Sequence, residues 1–251
     1  MNVYLAGLEG YFLNSLLKEY VHQNPALILG SYYSISQRNP KRYCEQMPYF
    51  KDFMLDSGAF TFMNSGCHEN WESYIERYAD FIKKNDVKKF FELDIDSIIG
   101  YDKVKEYRYR LERLIGWQSI PVWHILRGKE EFTRMCAEYS YVSIGGIVTK
   151  EIPPNKYKLF SILIKEAHKN KVKIHGLGFT NLALLKEYHF DSVDSTSWLS
   201  GGRFGTVYKF MNGSLRSVKR KDGTRLIDYK SLDARNFREW LKFQKYAETH
   251  L

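Results

Sequence analysis

Side chains able to do chemistry stand at the ends of short apolar runs along this chain, where local structure alone has no need of them. One run ends in Asp56 and opens Asp56-Ser57-Gly58-Ala59-Phe60, a second closes in Glu92-Leu93-Asp94-Ile95-Asp96, and a third in Trp123-His124. Two more finish in glycines, Ser143-Ile144-Gly145-Gly146-Ile147 and His175-Gly176-Leu177-Gly178, and the last reads Asp191-Ser192-Val193-Asp194. Any one of these acids could cap a helix. The same placement in three runs points instead to an acid-lined site. Several carboxylates together suit acid/base work with a carboxylate nucleophile, as in glycosidic bond cleavage, where one acid attacks or stabilises the sugar cation and another manages protons. Paired glycines let a flat ring approach backbone N–H and C=O groups, and Phe60 is placed to stack on that ring. A purine-like base on a ribose is the ligand these features suggest. Other chemistries lose support, since the sequence has no His-x-His pair in its first run, no close-spaced cysteine trio and no Gly-x-Ser-x-Gly elbow. Cys44, Cys67 and Cys136 are scattered and odd in number, which suits neither a disulfide framework nor a zinc site. Cys67 and His68 lie near the Asp56 loop without a metal pattern, so neither a metal nor a cofactor is expected.

Positioning such residues requires strands that end on one side. Apolar, β-branched or aromatic runs occupy 3–6, 27–33, 53–55, 90–95, 120–126, 141–147, 172–177 and 190–193, and most are separated by segments with helical apolar spacing. Those helices are expected at 71–84, 103–115, 130–139, 156–170 and 181–188. The runs recur about every 27 residues, close to one strand, one crossover helix and two loops, and a (β/α)8 TIM barrel is the simplest closure. In a barrel all strand C-termini meet at one mouth, where barrel enzymes keep their chemistry. An open doubly wound sheet accommodates the same alternation, but its usual glycine-rich phosphate turn is weak here, reading Gly7-Leu8-Glu9-Gly10. The barrel is assigned to 1–200. Residues 201–251 form an appendage packed on it within a single domain. Two alternating stretches around Asn212-Gly213 predict a β-hairpin, because Asn-Gly supplies the positive φ angles of a type I′ turn. Phe237, Trp240, Leu241, Phe243 and Tyr246 then predict a closing helix over 233–251.

Composition excludes disorder and a membrane span. The 251 residues are 44% hydrophobic and 27% charged, no run of about 18 apolar residues occurs, and the first residues lack the layout of a secretion signal, so a cytoplasmic protein is expected. The formal charge of +9 is focused. Between residues 201 and 225 stand Arg203, Lys209, Arg216, Lys219, Arg220, Lys221 and Arg225 against Asp222 alone. A basic hairpin beside an acidic mouth is placed to hold a phosphate backbone.

From Asp56 to Gly202 the ordered motifs resemble the tRNA-guanine transglycosylase superfamily, and the small size is most like its phage and bacterial DNA-guanine transglycosylases of the DpdA-like branch. The resemblance implies that Asp56 lies beside the scissile bond and handles protons, that Phe60 packs on the base, and that Asp94 accepts from the N1/N2 edge of guanine. His124 falls where the family has a Gln reading the O6 edge, with Arg127 as a rival. Gly145, Gly146 and Ile147 match the stretch whose backbone contacts the base, while Gly176 and Gly178 line its other face. Asp194 matches the nucleophile at C1′. Asp191 is read as a structural partner for the loop after the eighth run and Asp96 as a helix cap. The family's zinc site of three cysteines and a histidine after the last strand is missing, since only His250 follows Asp194, and the RNA-binding insertions are missing too. This favours DNA over tRNA as partner, with the target base flipped into the mouth.

The implied reaction is exchange of guanine for a 7-deazaguanine of the preQ0 type through a covalent aspartyl-glycosyl intermediate, with free guanine or 7-deazaguanine as the second ligand. No membrane partner is implied, and an oligomer is compatible. The alternatives are the same exchange on tRNA, a base-releasing N-glycosidase or nucleoside hydrolase, and a non-catalytic nucleic-acid-binding barrel.

Overall fold

A computed structural model describes residues 1–10, 15–65, 69–218 and 229–251. Seven parallel strands form one curled sheet: β1 (Asn2–Ala6), β2 (Leu27–Ser31), β3 (Asp52–Asp56), β4 (Val122–Trp123), β5 (Tyr141–Ile144), β6 (Lys173–Gly176) and β7 (Ser192–Ser195). They lie in the order β3-β2-β1-β7-β6-β5-β4. The two edges of that sheet are linked by isolated parallel bridges, Leu55 with Phe90 and Phe91 with Ile120. Phe91 N–H donates to Leu55 at 2.9 Å and Ile120 N–H to Phe90 at 2.7 Å.

The runs are apolar on both faces because both faces are covered. Side chains alternate across a strand. Tyr4, Ala6, Leu27, Leu29, Met54, Phe91, Ile120 and Val122 therefore form an inner cluster, while Val3, Leu5, Ile28 and Leu55 pack outward against the helices. The helix Trp71–Lys84 shows how a sequence pattern becomes that packing. Asn70 caps it by accepting from Ser73 N–H at 3.1 Å, and Tyr74, Ile75, Tyr78, Ala79 and Ile82 form its buried stripe. Tyr78 Oη donates to both Leu55 O and Phe91 O, at 3.1 and 3.0 Å, fixing the helix over the bridged segment. Helices Tyr101–Ile115, Gly128–Glu138 and Lys158–Lys169 fall within two residues of their predicted starts and ends.

Three expectations change. The run at 90–95 supplies bridge residues and no strand, because the chain turns after Phe91, with Ile95 N–H bonded to Leu93 O at 3.0 Å, into the short helix Asp96–Ile99. The run at 120–126 yields only Val122–Trp123, since Pro121 has no N–H to donate and Leu126 belongs to a 3-10 turn. Residues 181–188 form turns around Asn181 and Leu184. Burial of Leu185 and Tyr188 anchors that segment in its turn conformation.

The hairpin is β8 (Val207–Met211) paired antiparallel with β9 (Ser214–Val218), with Asn212 at φ 51° and Gly213 at φ 72° in the turn. It sits on the last helix, Tyr229–His250, where Asn236 accepts from Tyr208 N–H and Glu239 from Phe210 N–H, both at 2.8 Å. The same helix closes over the sheet through buried Gln244. Its amide donates to Val3 O and Leu27 O and accepts from Leu27 N–H, at 2.7, 3.0 and 3.0 Å. Among the described residues no helix is long and apolar enough to cross a membrane.

Candidate active site

The C-terminal ends of the strands surround a cavity of about 570 Å³, lined by Glu9 after β1, Ser31 at the end of β2, Asp56 ending β3, Asp94, His124 after β4, Gly145 and Gly146 after β5, Gly178 after β6 and Asp194 in β7. Phe60 and Arg203 complete its rim. A second depression of about 620 Å³, around Tyr109, Glu112 and Trp117 near the opposite strand ends, contains none of these groups.

The alternation Glu92-Leu93-Asp94-Ile95-Asp96 sends its hydrophobic members into the core and its three carboxylates towards one guanidinium. Arg127 donates from Nη1 to Glu92 at 2.9 Å, from Nη2 to Asp94 at 3.0 Å and from Nε to Asp96 at 3.1 Å, with its guanidinium 4.1 Å from the centre of the Tyr101 ring. Asp96 is thus an ion-pair partner rather than a cap. Glu92 is fully buried, and it also accepts from Val122 N–H at 2.8 Å and pairs with buried Arg108 at 3.3 Å.

His124 lies between two acids, Nε2 at 2.8 Å from Asp94 and Nδ1 at 3.1 Å from Glu151. Burial opposes its charge, but the Asp94 carboxylate outweighs burial and lifts its pKa to about 9. The ring is therefore doubly protonated at neutral pH, and both N–H groups already have carboxylate partners. Gly145 is what admits it, since a Cβ there would lie 2.7 Å from the imidazole. Asp94, Asp96 and His124 offer possible metal-ligand atoms within 4.8 Å of one another. The Arg127 guanidinium already supplies positive charge between the two acids.

Across the cavity, Asp56 accepts from Gly58 N–H at 2.8 Å. Burial, reinforced by the negative charges of Asp194, Asp94 and Glu9, raises its pKa to about 7. Asp194 accepts from Gly178 N–H at 2.6 Å and lies 3.3 Å from His175 Nε2. Gly178 has φ 70°, and a Cβ there would strike Val148 at 2.3 Å. Asp191 ties β6 to β7 by accepting from Ile174 N–H at 2.8 Å, with His168 at 3.0 Å, so its partners precede β7 and do not belong to the loop that follows it.

The structure brings Asp56, Phe60, Asp94, His124, Gly145, Gly146, Gly178, Asp194 and Arg203 to one cavity. It does not bring Ile147, which packs in the core, or Gly176, where a Cβ would press on Phe179 and Phe190 at 3.2 Å. Lys209 and Arg216 face each other across the hairpin, exposed and away from the cavity lining. Lys219, Arg220, Lys221 and Arg225 lie outside the described residues, as do Cys67 and His68. Sequence reasoning gave Glu9 no role in the site, although it follows the first run by three residues in the Gly7-Leu8-Glu9-Gly10 turn. It also passed over Glu151, which no strand-end rule marks.

No family model matches the chain, and no curated protein matches it. Among solved structures it is similar to a protein described as a fructose-1,6-biphosphate aldolase from Coccidioides immitis, with a TM-score of 0.56 and 14% identity, over 98% of this chain and 87% of that one. At that identity the likeness concerns the fold: an α/β protein built on a curled parallel sheet.

Proposed function

We propose that this protein is an enzyme exchanging guanine for a 7-deazaguanine in a nucleic-acid strand, DNA by the resemblance, as a cytoplasmic glycosyltransferase. The reading takes the curled sheet as a closed (β/α)8 barrel in which Phe90 and Phe91 occupy the fourth strand position; the bridges at both edges support it. The observation that carries the function is that Asp56, Asp94 and Asp194 line one cavity, with Asp56 poised near neutral pH. An Asp194 oxygen attacks C1′, the C1′–N9 bond breaks, and its electron pair passes to the base as Asp56 delivers the proton that makes guanine a neutral leaving group. The incoming base then returns a proton to Asp56, and its N9 displaces Asp194 from C1′, with retention after two inversions.

Asp94 receives the N1/N2 edge of guanine. Its carboxylate has about four acceptor sites, of which His124 and Arg127 use part. His124 acts by holding Asp94, since its own N–H groups are engaged, and the backbone at Gly146 is left to meet O6. Phe60 covers the ring. Arg203 at the rim and the hairpin pair Lys209 and Arg216 contact the phosphates. The aldolase likeness adds no chemistry to this reading, and among the described residues no lysine for a Schiff base lines the cavity.

The test is incubation of DNA or tRNA with labelled guanine or a 7-deazaguanine. Wild type incorporates label and forms a covalent adduct that Asp194→Asn loses; no incorporation into either polymer by the wild type overturns the reading. Abasic-site formation without added base assigns the hydrolase instead.

A further inference from the structure

The β1–β3 side of the cavity carries polar groups that base exchange, as described, does not use. Glu9 Oε1 accepts from Ser31 N–H at 2.6 Å, so the carboxyl is fixed at the end of β2, one strand from Asp56, with Ser31 and Asp56 direct partners in the sheet register. Glu9 and Ser31 both line the cavity. Burial raises the Glu9 carboxyl above its ordinary range. Ser31 Oγ is itself buried and has no hydrogen-bond partner among the described residues. Ser31 stands at the N-cap of helix Tyr32–Ser36, a position where serine normally bonds the first helical turn, yet it makes no such bond. A buried hydroxyl left without a partner has lost its hydration with nothing in return. A ligand that supplies one is the natural remedy in a cavity of this size.

We propose that Glu9 and Ser31 form a sugar subsite that takes the 2′-hydroxyl of a ribose. An alcohol both donates and accepts at one oxygen, so a single hydroxyl can donate to the Glu9 carboxylate and accept from Ser31 Oγ. The rest of the cavity leaves this side to the sugar. Asp94, Gly145 and Gly146 hold the base on the far side, and Asp56 and Asp194 hold C1′ between. Within a strand the 3′ and 5′ oxygens are esterified, which leaves the 2′-hydroxyl as the free alcohol, and only RNA carries it. The inference rests on the base-exchange reading and turns its polymer from DNA to RNA or a free ribonucleoside.

Calorimetry with guanosine, 2′-deoxyguanosine and guanine tests it on the full chain, in wild type, Ser31→Ala and Glu9→Gln. Wild type is expected to bind guanosine about tenfold or more tightly than 2′-deoxyguanosine. In both variants that ratio falls to within about twofold, while guanine, which has no sugar, binds all three proteins alike and reports an intact cavity. Exchange of labelled guanine into RNA and DNA strands of one sequence separates polymer from nucleoside. RNA labelled faster than DNA, or a guanosine preference with neither strand labelled, supports the subsite and names its source. Equal affinity for the two nucleosides with guanine still bound overturns the subsite and leaves base exchange standing. If guanine is neither bound nor exchanged, base exchange falls, and the subsite survives only on a guanosine preference that Ser31→Ala abolishes.

Discussion

At the scale of residues the cavity is an arrangement of charges that hold one another in defined protonation states. His124 stays charged because Asp94 faces it, and Asp56 is held near neutrality because burial and three neighbouring acids oppose its ionisation. A carboxyl raised to about 7 keeps its proton below that pH and loses it above. A reaction in which Asp56 donates should therefore slow as pH rises through about 7, and Asp56→Asn should lower the rate about 100-fold or more and flatten that limb of the pH–rate profile. An unchanged profile in the variant removes Asp56 from proton transfer. Spacing made the acids legible in the sequence, because a carboxylate ending an apolar run is anomalous. Their partners were less legible. Nothing local in residue 127 or 151 says that one guanidinium will gather Glu92, Asp94 and Asp96, or that Glu151 will reach His124. Those contacts join loops about 27 to 35 residues apart.

At the scale of elements, two attachments carry testable weight. Gln244 satisfies three backbone groups of β1 and β2 from the last helix. Gln244→Leu would leave them unpaired, and denaturant unfolding should show a loss of about 2–4 kcal/mol. A loss under about 0.5 kcal/mol means that the helix is held by its aromatic face alone. The hairpin sets Lys209 directly opposite Arg216, with no carboxylate paired to either among the described residues. Like charges so placed repel unless an anion lies between them. The double variant Lys209→Gln, Arg216→Gln should weaken nucleic-acid binding and lower the slope of log affinity against log salt by about 2. An unchanged slope places the phosphates elsewhere. The Asn212-Gly213 turn was readable because its φ requirement is local. The missing helix at 181–188 was not, since its apolar spacing looks helical and burial of Leu185 and Tyr188 decides otherwise.

At the scale of the whole molecule, the site exists because strand ends remote in sequence meet at one mouth. If Phe90 and Phe91 complete the ring, the amides of Phe91, Glu92 and Ile120 are interior hydrogen bonds and should exchange with solvent as slowly as those of β1. Fast exchange there would mean an open edge and a weaker support for Asp94. By itself the sequence determined the alternation of strand and helix, the acids at the strand ends, the turn and the place of the basic charge. These follow from side-chain period, turn chemistry and composition, all properties of neighbouring residues. Tertiary structure alone decided that the fourth run would be two bridging residues, that Gly145 would make room for an imidazole, that Ile147 and Gly176 would face the core, and that Glu9 and Ser31 would share the cavity with Asp56. Each depends on which groups meet across the curled sheet. Such a meeting is fixed by packing and by the pairing of buried polar groups, and no local pattern encodes it.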